Sequence, residues 1–106
     1  MDYLPPEQAP TREEIDKTPG LVMLEFGTDW CGFCRAAQPH VAALLRESAQ
    51  VRHLKVEDGP RRPLGRSFRV RLWPNFVLLK DGEVVRQVAR PSAQELKDAF
   101  AALLSA

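Results

Sequence analysis

The run Leu21-Val22-Met23-Leu24-Glu25-Phe26 is apolar in five of its six positions. A strand of this composition must be covered on both faces, so the chain has to place a layer of structure above and below a sheet. The segment C-terminal to it narrows the choice. Ala37, Val41, Leu44, Leu45 and Ser48 recur at helical spacing and predict a helix from about Cys31 to Ala49. Pro39 lies inside it and should kink it, since proline removes a backbone donor and clashes with the preceding turn. Val51 to Val56 reads as a second strand. Strand, long helix, strand is a βαβ unit, with a right-handed crossover and parallel strands.

The remaining elements attach to this unit. The first ten residues carry three prolines and read as a surface arm with a short strand near Tyr3-Leu4. Thr11-Arg12-Glu13-Glu14 is a capping-box pattern opening a short helix that ends near Thr18-Pro19-Gly20. Between Asp58 and Arg71 the chain is rich in Gly, Pro and Arg, with Arg62, Arg66 and Arg69 on one face of a short helix. Phe76 to Leu79, Lys80-Asp81-Gly82-Glu83 and Val84 to Val88 form a hairpin, because Asp-Gly suits a type I′ turn. Ser92-Ala93-Gln94-Glu95 is a second capping box, before a final helix striped by Leu96, Phe100, Leu103 and Leu104. The fold class is α/β.

At 106 residues the chain makes a single domain, residues 1–106. A domain of this size buries roughly two-thirds of its unfolded surface and folds without staples. A formal net charge of +1 supplies no field that would select nucleic acid. Met1-Asp2-Tyr3-Leu4-Pro5-Pro6 has neither the basic start nor the apolar core of a signal peptide, and no apolar run reaches membrane-spanning length. The expectation is a cytoplasmic protein with no membrane partner.

In a reducing compartment, two spaced cysteines are more often catalytic or metal-binding than structural. Cys31 and Cys34 are the only two, and they stand at the strand-to-helix junction. There the helix N-terminus stabilises the thiolate of the first. Cys31 is the expected exposed nucleophile, and Cys34, one turn in, the resolving thiol that attacks the mixed disulfide. Zinc would need two more ligands. His40 and His53 are the only histidines, and neither stands at knuckle spacing from Cys34. No metal and no cofactor is called for. His40 reads as a partly exposed helix residue and His53 as a strand residue without chemistry. Glu25 is the anomaly of the first strand. Beneath the helix its carboxyl should be desolvated, with a raised pKa, and able to act as general base and acid for Cys34.

Leu24-Glu25-Phe26, Trp30-Cys31-Gly32-Phe33-Cys34, Pro39, Lys55, Trp73-Pro74 and Lys80-Asp81-Gly82-Glu83 together resemble the thioredoxin family in order and spacing, from about Leu21 to the C-terminus. The resemblance implies a thioredoxin fold, a central mixed sheet of four to five strands flanked by helices on both faces. It implies a monomeric thiol-disulfide oxidoreductase that reduces disulfide-containing protein substrates and is regenerated by a flavoprotein thioredoxin reductase. Pro74 would be the cis proline facing the dithiol. The Trp73 backbone would pair with an extended substrate segment, Lys55 would neighbour the buried carboxylate, and Trp30 would shield the sulfurs and help dock the client. Gly32 and Phe33 complete the docking surface.

Three departures matter. Phe33 replaces the usual proline, which should alter the relative stability of dithiol and disulfide. Glu25 replaces aspartate, and Trp73 and Ala89 replace smaller residues in the substrate groove. Alternative readings are a thioredoxin-like binding module or assembly chaperone that grips an extended client, and a disulfide oxidase or isomerase.

Overall fold

The computed structural model describes residues 3–106. In chain order it contains a 3-10 turn at Pro6–Gln8, α1 Arg12–Asp16, β1 Leu21–Gly27, α2 Gly32–Arg46, β2 Val51–Glu57, α3 Pro63–Ser67, β3 Asn75–Lys80, β4 Glu83–Ala89 and α4 Ala93–Leu104. The strands lie in the order β2-β1-β3-β4. β1 runs parallel to β2, β3 is antiparallel to both β1 and β4, and the sheet is therefore mixed with β1 inside it. Beyond β2, Leu4 adds a parallel bridge to Val56.

Alternation along each strand sends side chains to two cores. Met23, Val51, Phe76 and Leu78 pack with Val41 of α2 and with Leu96, Ala99, Phe100 and Leu103 of α4. On the opposite face Val22, Leu24, Phe26, Val56, Val77 and Leu79 pack with Ile15 of α1, Leu64 of α3 and Phe68. This two-sided burial is why the first strand is apolar at every position from Leu21 to Phe26 except Glu25. Phe26 and Phe76, both at 0% exposure, anchor opposite cores, and truncating either to Ala costs about 3–5 kcal/mol.

Both capping boxes form: Thr11 and Ser92 each accept from the amide three residues on, and Glu14 and Glu95 reciprocate. The Asp-Gly turn places Asp81 at φ 50° and Gly82 at φ 82°. Gly82 is doubly constrained, because a Cβ there would also lie 2.0 Å from the Asp16 carbonyl oxygen.

Two expectations are corrected. The long helix ends at Arg46, three residues short of Ala49, because Ser48 turns the chain and its carbonyl accepts from Val51 at the start of β2. The arginines do not share a helical face. α3 contains only Arg66, Arg62 is its N-cap, and Arg69 lies beyond it in the left-handed region at φ 58°.

Candidate active site

The dithiol occupies the junction of β1 and α2. Cys31 is the N-cap of α2, and its Sγ accepts the Cys34 amide hydrogen at 3.2 Å. The sulfur thus takes the place of the oxygen that usually caps a helix, next to unpaired amides and the positive end of the dipole. Both thiols are free. Cys31 is less open than expected, at 7% exposure, because it packs in a small cluster with Tyr3, Cys34 and Trp73; Cys34 is at 1%. Burial first, and then the hydrogen bond to the Cys31 sulfur, push the Cys34 thiol up to about 11, against a downward pull from the Thr28 amide and the Tyr3 hydroxyl. Cys34 therefore has to be deprotonated to act.

Glu25 lies under α2 at 0% exposure. Its Oε1 meets His53 Nε2 at 2.8 Å, and its Oε2 accepts from Gln38 Nε2 at 2.8 Å and from the Tyr3 hydroxyl at 3.0 Å. The expected raised pKa is corrected. Desolvation raises it, but hydrogen bonds from His53 and Gln38, with the charges of His53 and Lys55, outweigh burial and hold the carboxyl below its ordinary value. Glu25 is an ionised acceptor, so His53 Nε2 must carry the hydrogen between them. Gln38 also donates to the Cys34 carbonyl at 2.9 Å and accepts from Lys55 Nζ at 3.1 Å. Lys55, in register with Glu25 across the parallel pair, sits beside the carboxylate as expected.

The Trp73-Pro74 peptide is cis. Trp73 donates through its indole to Asp58 at 2.9 Å and meets Trp30 edge to face, with centroids 5.6 Å apart. Trp30 and Phe33 are exposed, at 72% and 58%. Gly32 has open space around it. Ala89 ends β4 opposite Asn75 and is exposed, whereas its neighbour Arg90 reaches over the site. Arg90 and Phe33 line, with His40, Pro74, Pro91 and Leu96, a groove of about 180 Å³. Pro39 is exposed on α2, which runs through it.

Four residues at the site were not expected there. His53 could have been found, since period-two alternation puts residues 51, 53 and 55 on one face of β2 beside Glu25. Gln38, four residues after Cys34 on the same helix face, was also legible. Arg90 follows the last strand, and its reach depends on its φ of 46°. The short strand expected near Tyr3-Leu4 appears as the Leu4 bridge to Val56, but nothing in the sequence tied Tyr3 to the dithiol. Its place follows from Leu4, whose amide donates to Lys55 and whose carbonyl accepts from Glu57, and the supposed surface arm thereby buries its tyrosine.

A free dithiol with one sulfur on a helix N-terminus and the other buried one turn behind it defines a thiol-disulfide oxidoreductase. The Thioredoxin family profile matches residues 6–103, and the chain belongs to the thioredoxin family. Thioredoxin 2 from Pseudomonas aeruginosa PAO1, in its reduced form, is 52% identical and superposes with a TM-score of 0.86 over 99% of this chain and 96% of that one. A thioredoxin H-type from Ricinus communis is 31% identical over 92 residues, 84% of this chain and 78% of its own length. The chloroplastic thioredoxin F1 of Arabidopsis thaliana is 36% identical over 87 residues, 81% of this chain but 49% of that protein. Among the described residues no helix is long and apolar enough to cross a membrane.

Proposed function

We propose that this oxidoreductase works in the reducing direction, as a cytoplasmic monomer that cleaves disulfides in client proteins and is recharged by a flavoprotein thioredoxin reductase. One observation carries the reading: Cys31 Sγ caps α2 while Cys34 lies buried one turn behind it. Cys31 thiolate attacks the client disulfide and forms a mixed disulfide. Cys34 thiolate then attacks Cys31 Sγ, the bond to the client breaks, and the client leaves as a thiolate while the pair is oxidised. Trp73 offers its backbone to an extended client segment, with Trp30 and Phe33 supplying apolar contact.

Dithiothreitol-driven insulin reduction tests it. Acceleration by the wild-type protein, lost in Cys31→Ser, supports the reading, and equal rates overturn it. Phe33 in the first turn of α2 favours a second reading, that of an oxidase or isomerase. Equilibration against glutathione separates them: a potential below about −230 mV fits a reductant and one near −120 mV an oxidant.

A further inference from the structure

We propose that Tyr3, delivered by the N-terminal arm, is a catalytic residue whose hydroxyl passes the proton of Cys34 to Glu25 when Cys34 resolves the mixed disulfide. The proposal rests on the dithiol-exchange reading above and adds the route of the proton.

The geometry is specific. The Tyr3 hydroxyl donates to Glu25 Oε2 at 3.0 Å, and Tyr3 packs with Cys34 in one buried cluster and lines one cleft with it. A Cβ placed on Gly27 would lie 2.6 Å from Cys34 Sγ and 2.8 Å from Tyr3 Oη, so the sulfur and the phenol oxygen crowd one point that only glycine leaves vacant. Gln38 also links Glu25 to Cys34, but its amide holds the Cys34 carbonyl and offers no labile proton. Tyr3 is 7% exposed, and its ring lies 4.3 Å from Lys55 Nζ. Leu4 fixes the arm by main-chain bonds to Lys55 and Glu57. A cleft of about 190 Å³, lined by Tyr3, Thr28, Asp29, Cys34, Arg35, Gln38 and Lys55, opens the relay to solvent.

The charged and titratable groups around Tyr3 are Glu25 from β1, Cys31 at the N-cap of α2, Cys34 and Arg35 from α2, Lys55 and, through Glu25, His53 from β2, and Asp29 from the loop before the helix. In the step itself the Cys34 proton moves to Tyr3 Oη as the Tyr3 proton moves to Glu25 Oε2. The phenol is neutral before and after. The Cys34 electron pair forms the bond to Cys31 Sγ, the Cys31–client bond breaks, and the client sulfur leaves with the pair from that bond.

Reaction with the aromatic disulfide 5,5′-dithiobis(2-nitrobenzoate) tests this, because the first thionitrobenzoate released reports attack by Cys31 and the second reports resolution by Cys34. In Tyr3→Phe the first phase should keep its rate while the second slows by about 10²-fold, a typical contribution of a positioned acid-base group. Tyr3→Phe combined with Glu25→Gln should be no slower than Glu25→Gln alone. The chain has a single tyrosine, so biosynthetic replacement by fluorotyrosine alters Tyr3 only and preserves its shape. The pH profile of the second phase should then shift downward. An unchanged second phase in Tyr3→Phe, equal slowing of both phases, or an unmoved profile in the fluorotyrosine protein overturns the relay. Failure of the wild-type protein to release the second equivalent would instead strike the dithiol-exchange reading.

Discussion

The Arg90 guanidinium lies over the Phe33 ring, 4.0 Å from its centroid. Its Nε donates to the Trp73 carbonyl at 2.8 Å, the acceptor that an extended client would use. Arg90 therefore competes with the client's backbone. Arg90→Ala should lower the KM for insulin several-fold, as expected for about 1 kcal/mol of released competition, and leave kcat unchanged. Steady-state kinetics that show a raised KM would contradict this.

Phe33 is the second residue of α2, where proline costs no helical hydrogen bond and its fixed φ suits the first turn. Phe33→Pro should hold that turn in the conformation that ring closure between the two sulfurs requires. The disulfide form is then favoured over the dithiol, and the midpoint against glutathione falls by about 30 mV, equivalent to about 1.4 kcal/mol. A midpoint that stays or rises counts against it.

Gly27→Ala would drive a methyl into Cys34 Sγ and the Tyr3 hydroxyl at 2.6 and 2.8 Å. Overpacking of this kind costs about 1–3 kcal/mol, and each kcal/mol lowers the melting temperature of such a domain by about 4–8 °C. Thermal unfolding of the reduced protein measures it, and a melting temperature equal to wild type would show that the arm yields freely.

The two buried acids act on stability at opposite ends of the pH scale. Glu25 has a depressed pKa in the fold, so the stability it contributes is present above the ordinary carboxylate value and is lost as pH falls through the lower folded value. Glu25→Gln should flatten that acid limb. Cys34 is raised from 9.0 to about 11, so its contribution is complete below the first value and lost as pH rises toward the second. Cys34→Ser should flatten the alkaline limb of the reduced protein. Urea midpoints across pH check both, and limbs identical to wild type would refute the assignments.

Much of this was readable from residue order. The strands, both capping boxes and the hairpin follow from local patterns that packing reinforces. Cys31 and Cys34 could be placed at the head of α2 because strand-helix adjacency acts at short range. What was not readable depended on non-local contacts. The carboxylate's pKa was set by His53 and Gln38 rather than by burial, since two hydrogen bonds and two charges outweigh desolvation. The short strand near Tyr3-Leu4 was readable, but its partner was not, because the pairing with β2 joins residues far apart in the chain.

The arm keeps its station through the two main-chain bonds of Leu4, immediately after the tyrosine. Those two bonds, formed with β2 and not with the dithiol helix, are what hold the tyrosine against Glu25 and the sulfurs, so the edge of the sheet doubles as a wall of the reaction centre.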